Sequence, residues 1–296
     1  MRPITFLCAW VLCVPYAFAQ TGLSFLNIGA TAREQSMANT GTASAEGAAS
    51  NYYNAARLNA GEKSSVMFSQ NLWILDTQSS FAGANFNFGK SAVGISLTWF
   101  TVSDIPIRGN APTTDPLGVF TSQNVAAAVS YSRSITDNLA LALTGKLLYE
   151  KIFVDDALGA AVDVSASFKA TKELALAATV QNLGGMSALA AQSSRLPTAV
   201  RLGGAYALGF SSLESTLLLE ANVVSIFSDQ TNINLGTEFQ FRELLFIRVG
   251  YSIGNTSRNF SAGAGIAYSG FKFDYAFVPF SNQLGTANIL TLQFHY

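Results

Sequence analysis

Nine ionisable residues occupy positions that alternate with apolar neighbours in the second and third parts of the chain: Lys146, Glu150, Asp163, Arg201, Glu220, Glu238, Arg248, Lys272 and Asp274. Charges of both signs directed into one enclosed space predict pairing with one another or with an internal segment. The same residues are also candidates for contact with a ligand or a permeating solute. Other chemistry is sparse. His295, the penultimate residue, is the sole histidine, so neither a Ser-His-Asp triad nor a histidine zinc site can be assembled elsewhere. It is expected at an interface or in a lumen. Both cysteines, Cys8 and Cys13, lie at the start of the chain. Disulfides, thiolate metal sites and cysteine nucleophiles are thereby excluded from the remainder. Gly263-Ala264-Gly265 sits in a strand pattern with no helix or lysine after it, which is no phosphate loop. Glycines there permit bending or the close approach of an internal segment. Asp155-Asp156 is expected in a solvated outer loop, with weak divalent contact to lipopolysaccharide as its alternative. No catalytic residue, metal or cofactor is implied. A hydrolase activity lost on changing one serine would be needed to revive an enzymatic reading.

The elements that position these charges follow from composition. The chain has 296 residues, 49% hydrophobic and only 12% charged, with mean hydropathy +0.29, where soluble domains carry about 25% charged residues. Beyond the first twenty residues no apolar run approaches the roughly 18 residues of a membrane helix. Only helices and closed barrels satisfy all backbone polar groups in lipid, so a transmembrane β-barrel remains. Taking Arg2 from the 17 basic residues leaves 16 against 18 acidic ones, a balance that gives no reason to expect nucleic acid.

The first residues read as an export signal. Met1-Arg2 supplies positive charge, Ile4 to Tyr16 is apolar, and Ala17-Phe18-Ala19 is a small-x-small cleavage site before Gln20. A short membrane anchor is the alternative, but the apolar core is short for a bilayer. Trp10-Val11-Leu12 before Cys13 lacks the small residues of a lipoprotein signal.

From about Lys63 onward the side chains alternate with period two. Leu139, Leu141, Leu143, Leu147 and Tyr149 share one parity, opposite Ala140, Ala142, Thr144, Lys146 and Glu150. Ile233, Leu235, Phe239 and Phe241 repeat the pattern, as do Phe271, Phe273, Tyr275 and Phe277. Apolar-out, polar-in segments predict an all-β, antiparallel transmembrane barrel of about fourteen strands: 63–74, 76–88, 91–103, 118–134, 138–152, 156–169, 173–184, 197–208, 213–225, 230–242, 244–254, 258–268, 270–278 and 286–296. A soluble sandwich would expose Lys-, Glu- and Thr-rich faces. Here the non-apolar face is Ala, Gly, Ser and Asn. Even-numbered strands end in short turns and odd-numbered ones include the long exits, and an even count places both chain termini on the periplasmic side. Leu290, Leu292, Phe294 and Tyr296 share one face and form the aromatic C-terminal signal that barrel-assembly machinery recognises.

Three regions result: a signal at 1–19, an N-terminal plug at 20–62 and the barrel at 63–296. The plug does not alternate. Thr31 to Ala38 has a capping-box start, with Glu34 three residues after Thr31, and Ala55 to Ala60 predicts a second short helix. Inward positions such as Ala126, Ala128, Ser130, Gly159, Ala161, Gly263 and Gly265 are small. They leave space that this segment is expected to fill from the periplasmic end.

Phe25-Leu26-Asn27-Ile28-Gly29-Ala30-Thr31-Ala32-Arg33, Met37-Ala38-Asn39-Thr40-Gly41 and Tyr52-Tyr53-Asn54-Ala55-Ala56-Arg57-Leu58 resemble the N-terminal motifs of the PorV/PorQ family, within the FadL-like fourteen-stranded barrels. Val180-Gln181-Asn182-Leu183-Gly184, Leu196-Pro197 and Asp274 to Phe280 with Leu284-Gly285 extend the similarity over the mature chain. The family's Asn-Pro-Ala before the first strand is Asn54-Ala55-Ala56 here, and the outer loops are short. The resemblance implies a non-enzymatic barrel in the outer membrane of a Gram-negative-type bacterium. Its surroundings would be outer-membrane lipid and lipopolysaccharide. Two roles stay open: an accessory of protein export of the type IX kind, meeting secreted cargo, or a FadL-like conduit for a hydrophobic ligand such as a long-chain fatty acid.

Overall fold

The computed structural model describes residues 22–61, 63–110, 114–189, 192, 194–227 and 229–296. The expected cleavage site at Ala17, Ala19 and Gln20 lies outside them. Fourteen antiparallel strands close into a barrel: β1 (Ser65–Leu72), β2 (Gln78–Phe88), β3 (Ser91–Ile107), β4 (Gly118–Ser134), β5 (Leu139–Ile152), β6 (Asp155–Lys169) and β7 (Leu174–Met186), followed by β8 (Ala199–Phe210), β9 (Ser215–Ile226), β10 (Thr231–Phe241), β11 (Leu245–Ile253), β12 (Phe260–Tyr268), β13 (Phe271–Pro279) and β14 (Thr286–His295). Closure runs from Ser65↔His295 to Leu72↔Asn288. It leaves no free sheet edge, as a lipid environment demands.

The side-chain rhythm sorts the two faces. In β11, Leu245, Ile247, Val249, Tyr251 and Ile253 face outward and are exposed, while Phe246, Arg248, Gly250 and Ser252 are buried or packed inward. The outer face meets lipid and the inner face can be polar. Most of the tight turns lie at the chain-terminal end of the barrel, the two-residue Phe153-Val154 turn at the opposite mouth being an exception. Ser269 and Gly270 both take positive φ, 49° and 86°, the type I′ geometry that matches strand twist.

Two bulges interrupt the alternation. Between the pairs Val102↔Ser122 and Ile105↔Phe120, Ser103 and Asp104 oppose the single residue Thr121, with Asp104 at φ 57°. The strand therefore continues to Ile107, past the expected end at 103, because pairing resumes after the inserted residue. Between Val162↔Leu183 and Val164↔Val180, Gln181 and Asn182 oppose Asp163, with Asn182 at φ 61°. Asp155 and Asp156 open β6 rather than sitting in a loop, since the turn is Phe153-Val154 alone. Both remain exposed.

Residues 22–61 run inside the barrel as short turns around α1 (Ala32–Ser36) and α2 (Ser50–Tyr53). Thr31 is the N-cap of α1, but its hydroxyl donates to the Glu34 carboxylate instead of receiving a backbone N–H. The first helical N–H, of Ala32, donates to Thr291 Oγ1 on β14 at 2.8 Å. The expected helix at 55–60 is a single 3-10 turn, Ala55–Arg57, closed by the Ala56 N–H donating to Asn54 Oδ1 at 3.0 Å. The segment also travels further than the sequence implies. Ser65 stands at the short-turn end, yet the Gly22 N–H donates to Arg195 O, at 3.0 Å, in the β7–β8 connection at the opposite mouth. Leu23, Phe25 and Leu26 pack there with Leu148 and Leu196.

Candidate functional site

The charged residues of the wall converge on the internal segment. Glu238 on β10 and Arg248 on β11 are direct cross-strand partners, joined Nε to Oε2 at 2.5 Å. Arg248 Nη1 reaches Asp274 on β13 at 2.8 Å. From α1, Arg33 places Nε and Nη2 on the two carboxylate oxygens of Glu238, each at 2.9 Å, and Nη1 on Glu34 Oε1 at 3.0 Å. Arg33 therefore couples the internal segment to three strands through one continuous ion network. Burial alone would lower the Arg33 pKa, but the Glu238 and Glu34 carboxylates outweigh it and hold the group well above its ordinary value.

Glu220 on β9 does the same work without a cation. Its carboxylate accepts the Gly41 and Ala43 N–H groups at 3.1 and 3.0 Å, and the Ser44 hydroxyl. Lys146 and Asp163 pair at 2.7 Å. Both engage Asn182 at the second bulge: Lys146 Nζ donates to Asn182 Oδ1 at 2.8 Å and the Asn182 N–H donates to Asp163 Oδ1 at 2.7 Å. The displaced backbone of the bulge is thereby satisfied by side chains.

The remaining three lumen charges are not brought into ion pairs among the described residues. Glu150 is buried on β5. Lys272 rests over the Phe246 ring at 4.2 Å. Arg201 donates from Nε to Gln181 Oε1 at 2.9 Å. Lys272, Arg33, Arg57, Glu238 and His295 line a cavity of about 710 Å³ that opens at the short-turn end. Among the described residues the Arg57 side chain donates to the Ala45 carbonyl and meets no carboxylate, and burial lowers its pKa.

Close packing completes the seat of α1. A Cβ added to Gly250 would lie 2.2 Å from the Ala38 backbone nitrogen, and one on Gly236 would lie 2.6 Å from the Met37 Cβ. These wall positions must lack side chains for the segment to lie against them. Gly263, read in the sequence as permitting close approach, faces Ser36 in the same way, at 2.5 Å. At the C-terminus, Leu292 and Tyr296 are exposed on the outer face, and Phe294 packs against Phe271 with centroids 4.6 Å apart.

With that geometry in place, comparison with known proteins is decisive. The family described as "Type IX secretion system protein PorV" matches residues 17–226. The chain belongs to the PorV family. The matched span runs through the internal segment to the end of β9, and so includes Arg33, Asn54, Asp163, Arg201 and Glu220. Among solved structures, the Pseudomonas putida toluene transporter TodX aligns with TM-score 0.63 and 12% identity, over 90% of this chain and 96% of that one. The monoaromatic hydrocarbon channel CymD aligns with TM-score 0.59 and 11% identity, over 93% and 97%. A Pseudomonas aeruginosa FadL homologue gives 0.56 and 10%, over 90% and 98%. At such identities these likenesses establish the fold alone. No curated protein sequence matches the chain.

For this PorV-family barrel the Asn54-Ala55-Ala56 motif acts as a clamp. Asn54 Nδ2 donates to Thr42 O at 2.8 Å and to Ala166 O on β6 at 3.1 Å, while Ala55 and Ala56 pack against Ala92 and Ala142. Sequence reasoning did not single out Arg33, Gln181, Asn182 or Arg258. Arg33, Gln181 and Asn182 stand inside the family motifs, which is the available signal. Arg258, in the β11–β12 connection, carried none.

Proposed function

We propose that this chain is a non-enzymatic outer-membrane barrel serving type IX secretion, presenting a surface to secreted cargo or to envelope partners instead of conducting a solute. Family membership over residues 17–226 is the observation that carries this reading. The interior supports it. Arg33, Glu220 and Asn54 fasten the internal segment to β6, β9 and β10 through buried hydrogen bonds and ion pairs, a stopper built to stay. Insertion through barrel-assembly machinery, guided by Leu292, Phe294 and Tyr296, and an environment of outer-membrane lipid and lipopolysaccharide belong to the same proposal. The test is deletion of the gene in its host, with quantification of surface-attached proteins that carry a type IX C-terminal signal and cross-linked co-purification of the barrel with them. Loss of those proteins from the surface and their capture on the barrel are expected. An unchanged surface proteome would reject the export role.

A second reading, a conduit for hydrophobic molecules, is favoured by one feature of the wall. Pairing of β7 with β8 stops at Gln181↔Ala199, although β7 continues to Met186. The apolar cluster of Leu23, Phe25, Leu26, Leu148 and Leu196, with Met186 packed on it, lies beside this stretch. Impaired uptake of a radiolabelled fatty acid or aromatic hydrocarbon in the deletion strain, with a normal surface proteome, would select it.

A further inference from the structure

The cavity of about 710 Å³ at the short-turn end has the size of a small-molecule pocket, about 300–1,000 Å³. Two cations of its lining, Arg57 and Lys272, are tied to one place by a chain of contacts. Arg57 Nε donates to Ala45 O at 2.9 Å, and Arg33 Nη1 donates to the adjacent carbonyl, Ser44 O, at 3.2 Å. Two guanidinium groups thus converge on one stretch of the internal segment. Arg33 shares the Glu238 carboxylate with Arg248. Arg248 in turn shares the Phe246 ring with Lys272, their charged groups lying 5.2 and 4.2 Å from its centroid. Arg33, Arg57, Glu238, Phe246 and Lys272 all line this one cavity.

Charge along that chain of contacts does not balance. The carboxylates it contains, Glu34, Glu238 and Asp274, are all taken by Arg33 and Arg248. Arg57 is left with a carbonyl dipole and Lys272 with a ring face. Neither has an ion pair among the described residues. Glu46, on the internal segment, also lines the cavity, but it is exposed and pairs with neither. The exposed rim is balanced, with Lys63, Lys169 and Lys172 beside Asp137, Glu173 and Glu243. The uncompensated positive charge therefore sits inside the rim, on the half-buried Arg57 and Lys272. Walls of low dielectric concentrate such a field on an entering anion. A guanidinium fork binds carboxylate or phosphate oxygens through paired hydrogen bonds, and an ammonium adds a compact point charge.

We infer that this cavity is a binding site, approached from the periplasm, for a small organic anion bearing carboxylate or phosphate groups, with Arg57 and Lys272 as its anchors. Its volume exceeds that of a lone inorganic ion, and Ala56, Ala140, Ala205 and Ala207 give it an uncharged wall for a carbon skeleton. The internal segment forms the roof, from Ala43 to Ala60, so a ligand enters and leaves on the same side. The site rests on the cavity and its charges, and holds whether or not the barrel serves export.

The test is isothermal titration calorimetry on the purified full barrel in a nonionic detergent. Citrate and glycerol phosphate are the probes, and sodium chloride at equal ionic strength is the reference. Saturable binding at a single site per barrel is expected for at least one probe. Citrate alone would assign a carboxylate ligand, glycerol phosphate alone a phosphate, and both together a site that reads charge and not head group. Arg57→Gln and Lys272→Gln should each weaken binding about tenfold, as the loss of one charge-assisted contact implies. Lys90→Gln, which removes an exposed lysine at the same end but outside the cavity, should leave binding unchanged. If Arg57→Gln gives no heat-modifiable barrel, Lys272→Gln carries the comparison. No heat beyond the chloride reference with either probe, binding unchanged in a folded Arg57→Gln or Lys272→Gln barrel, or equal weakening in Lys90→Gln would overturn the site.

Discussion

Arg33 and Glu238, separated by 205 positions, meet fork to fork in the barrel interior through two hydrogen bonds of 2.9 Å. Glu238 at the same time holds Arg248 on the neighbouring strand. One carboxylate thus ties the internal segment to the wall and one wall strand to the next. Removing a single partner of such a buried pair strands the other, at about 3–5 kcal/mol. Glu238→Ala, which takes a carboxylate from two arginines and leaves Arg33 with Glu34 and Arg248 with Asp274, is expected to lower barrel melting more than Arg33→Ala. Arg33→Lys should restore only part of the loss, since an ammonium cannot form the paired geometry. Melting followed by heat-modifiable gel mobility measures all three.

The Glu220 carboxylate accepts two backbone N–H groups and a hydroxyl from residues 41–44. Hydrogen bonds to a charged group contribute about 1.5–3 kcal/mol each. Glu220→Ala should loosen this stretch without removing a cross-strand bond. Discrete conductance steps in planar bilayers are expected, where the parent protein shows none or fewer. Identical traces for the two proteins would mean that Glu220 does not secure the stopper.

Gly250 and Gly236 offer a sharper separation of barrel from stopper. A valine at Gly250 drives a branched side chain into the Ala38 backbone, which a Cβ alone would approach to 2.2 Å. The strand itself tolerates valine, which favours sheet. Gly250→Val should therefore still give a folded barrel by gel mobility, while residues 22–61 become sensitive to added protease. A variant that stays protease-resistant would show that the segment re-seats elsewhere.

What the sequence discloses about such a molecule is set by periodicity. Leu139 to Glu150 and Ile233 to Arg242 betray their strands because one face meets lipid and the other an enclosed interior, so parity is enforced residue by residue. Pro106 and Asp104 conceal the last part of β3, since a bulge resets parity within two residues. The internal segment has no rhythm to read. Its helices span five and four residues, too short for a 3.6-residue repeat to show. Glu238 and Arg248 could be matched from the register of one hairpin. The pairing of Arg33 with Glu238 depends on how a folded segment lies inside a closed wall, which no local pattern encodes. For the same reason the sequence places the segment's entry at the short-turn end but not its passage to Arg195 at the other.

That passage has a direct consequence for topology. Gly22 bonds through its N–H to Arg195 O in the β7–β8 connection, where a Cβ added to it would lie 2.5 Å from the Ser194 Cβ, whereas Lys172 lies in the β6–β7 turn at the opposite mouth. No cysteine follows Cys13, so with Cys8 and Cys13 changed to alanine, single introduced thiols report position without background. On intact cells, Ser194→Cys should react with a membrane-impermeant maleimide, and Lys172→Cys should react only after the outer membrane is breached. A Gly22→Cys, Arg195→Cys double variant adds the decisive measurement. Oxidation should cross-link the start of the internal segment to the outer connection, and the cross-linked form should migrate differently on a non-reducing gel. Failure to cross-link, with both single variants folded, would place the start of the segment away from the outer mouth and leave Arg33 and Glu220 to hold a shorter stopper near the periplasmic end.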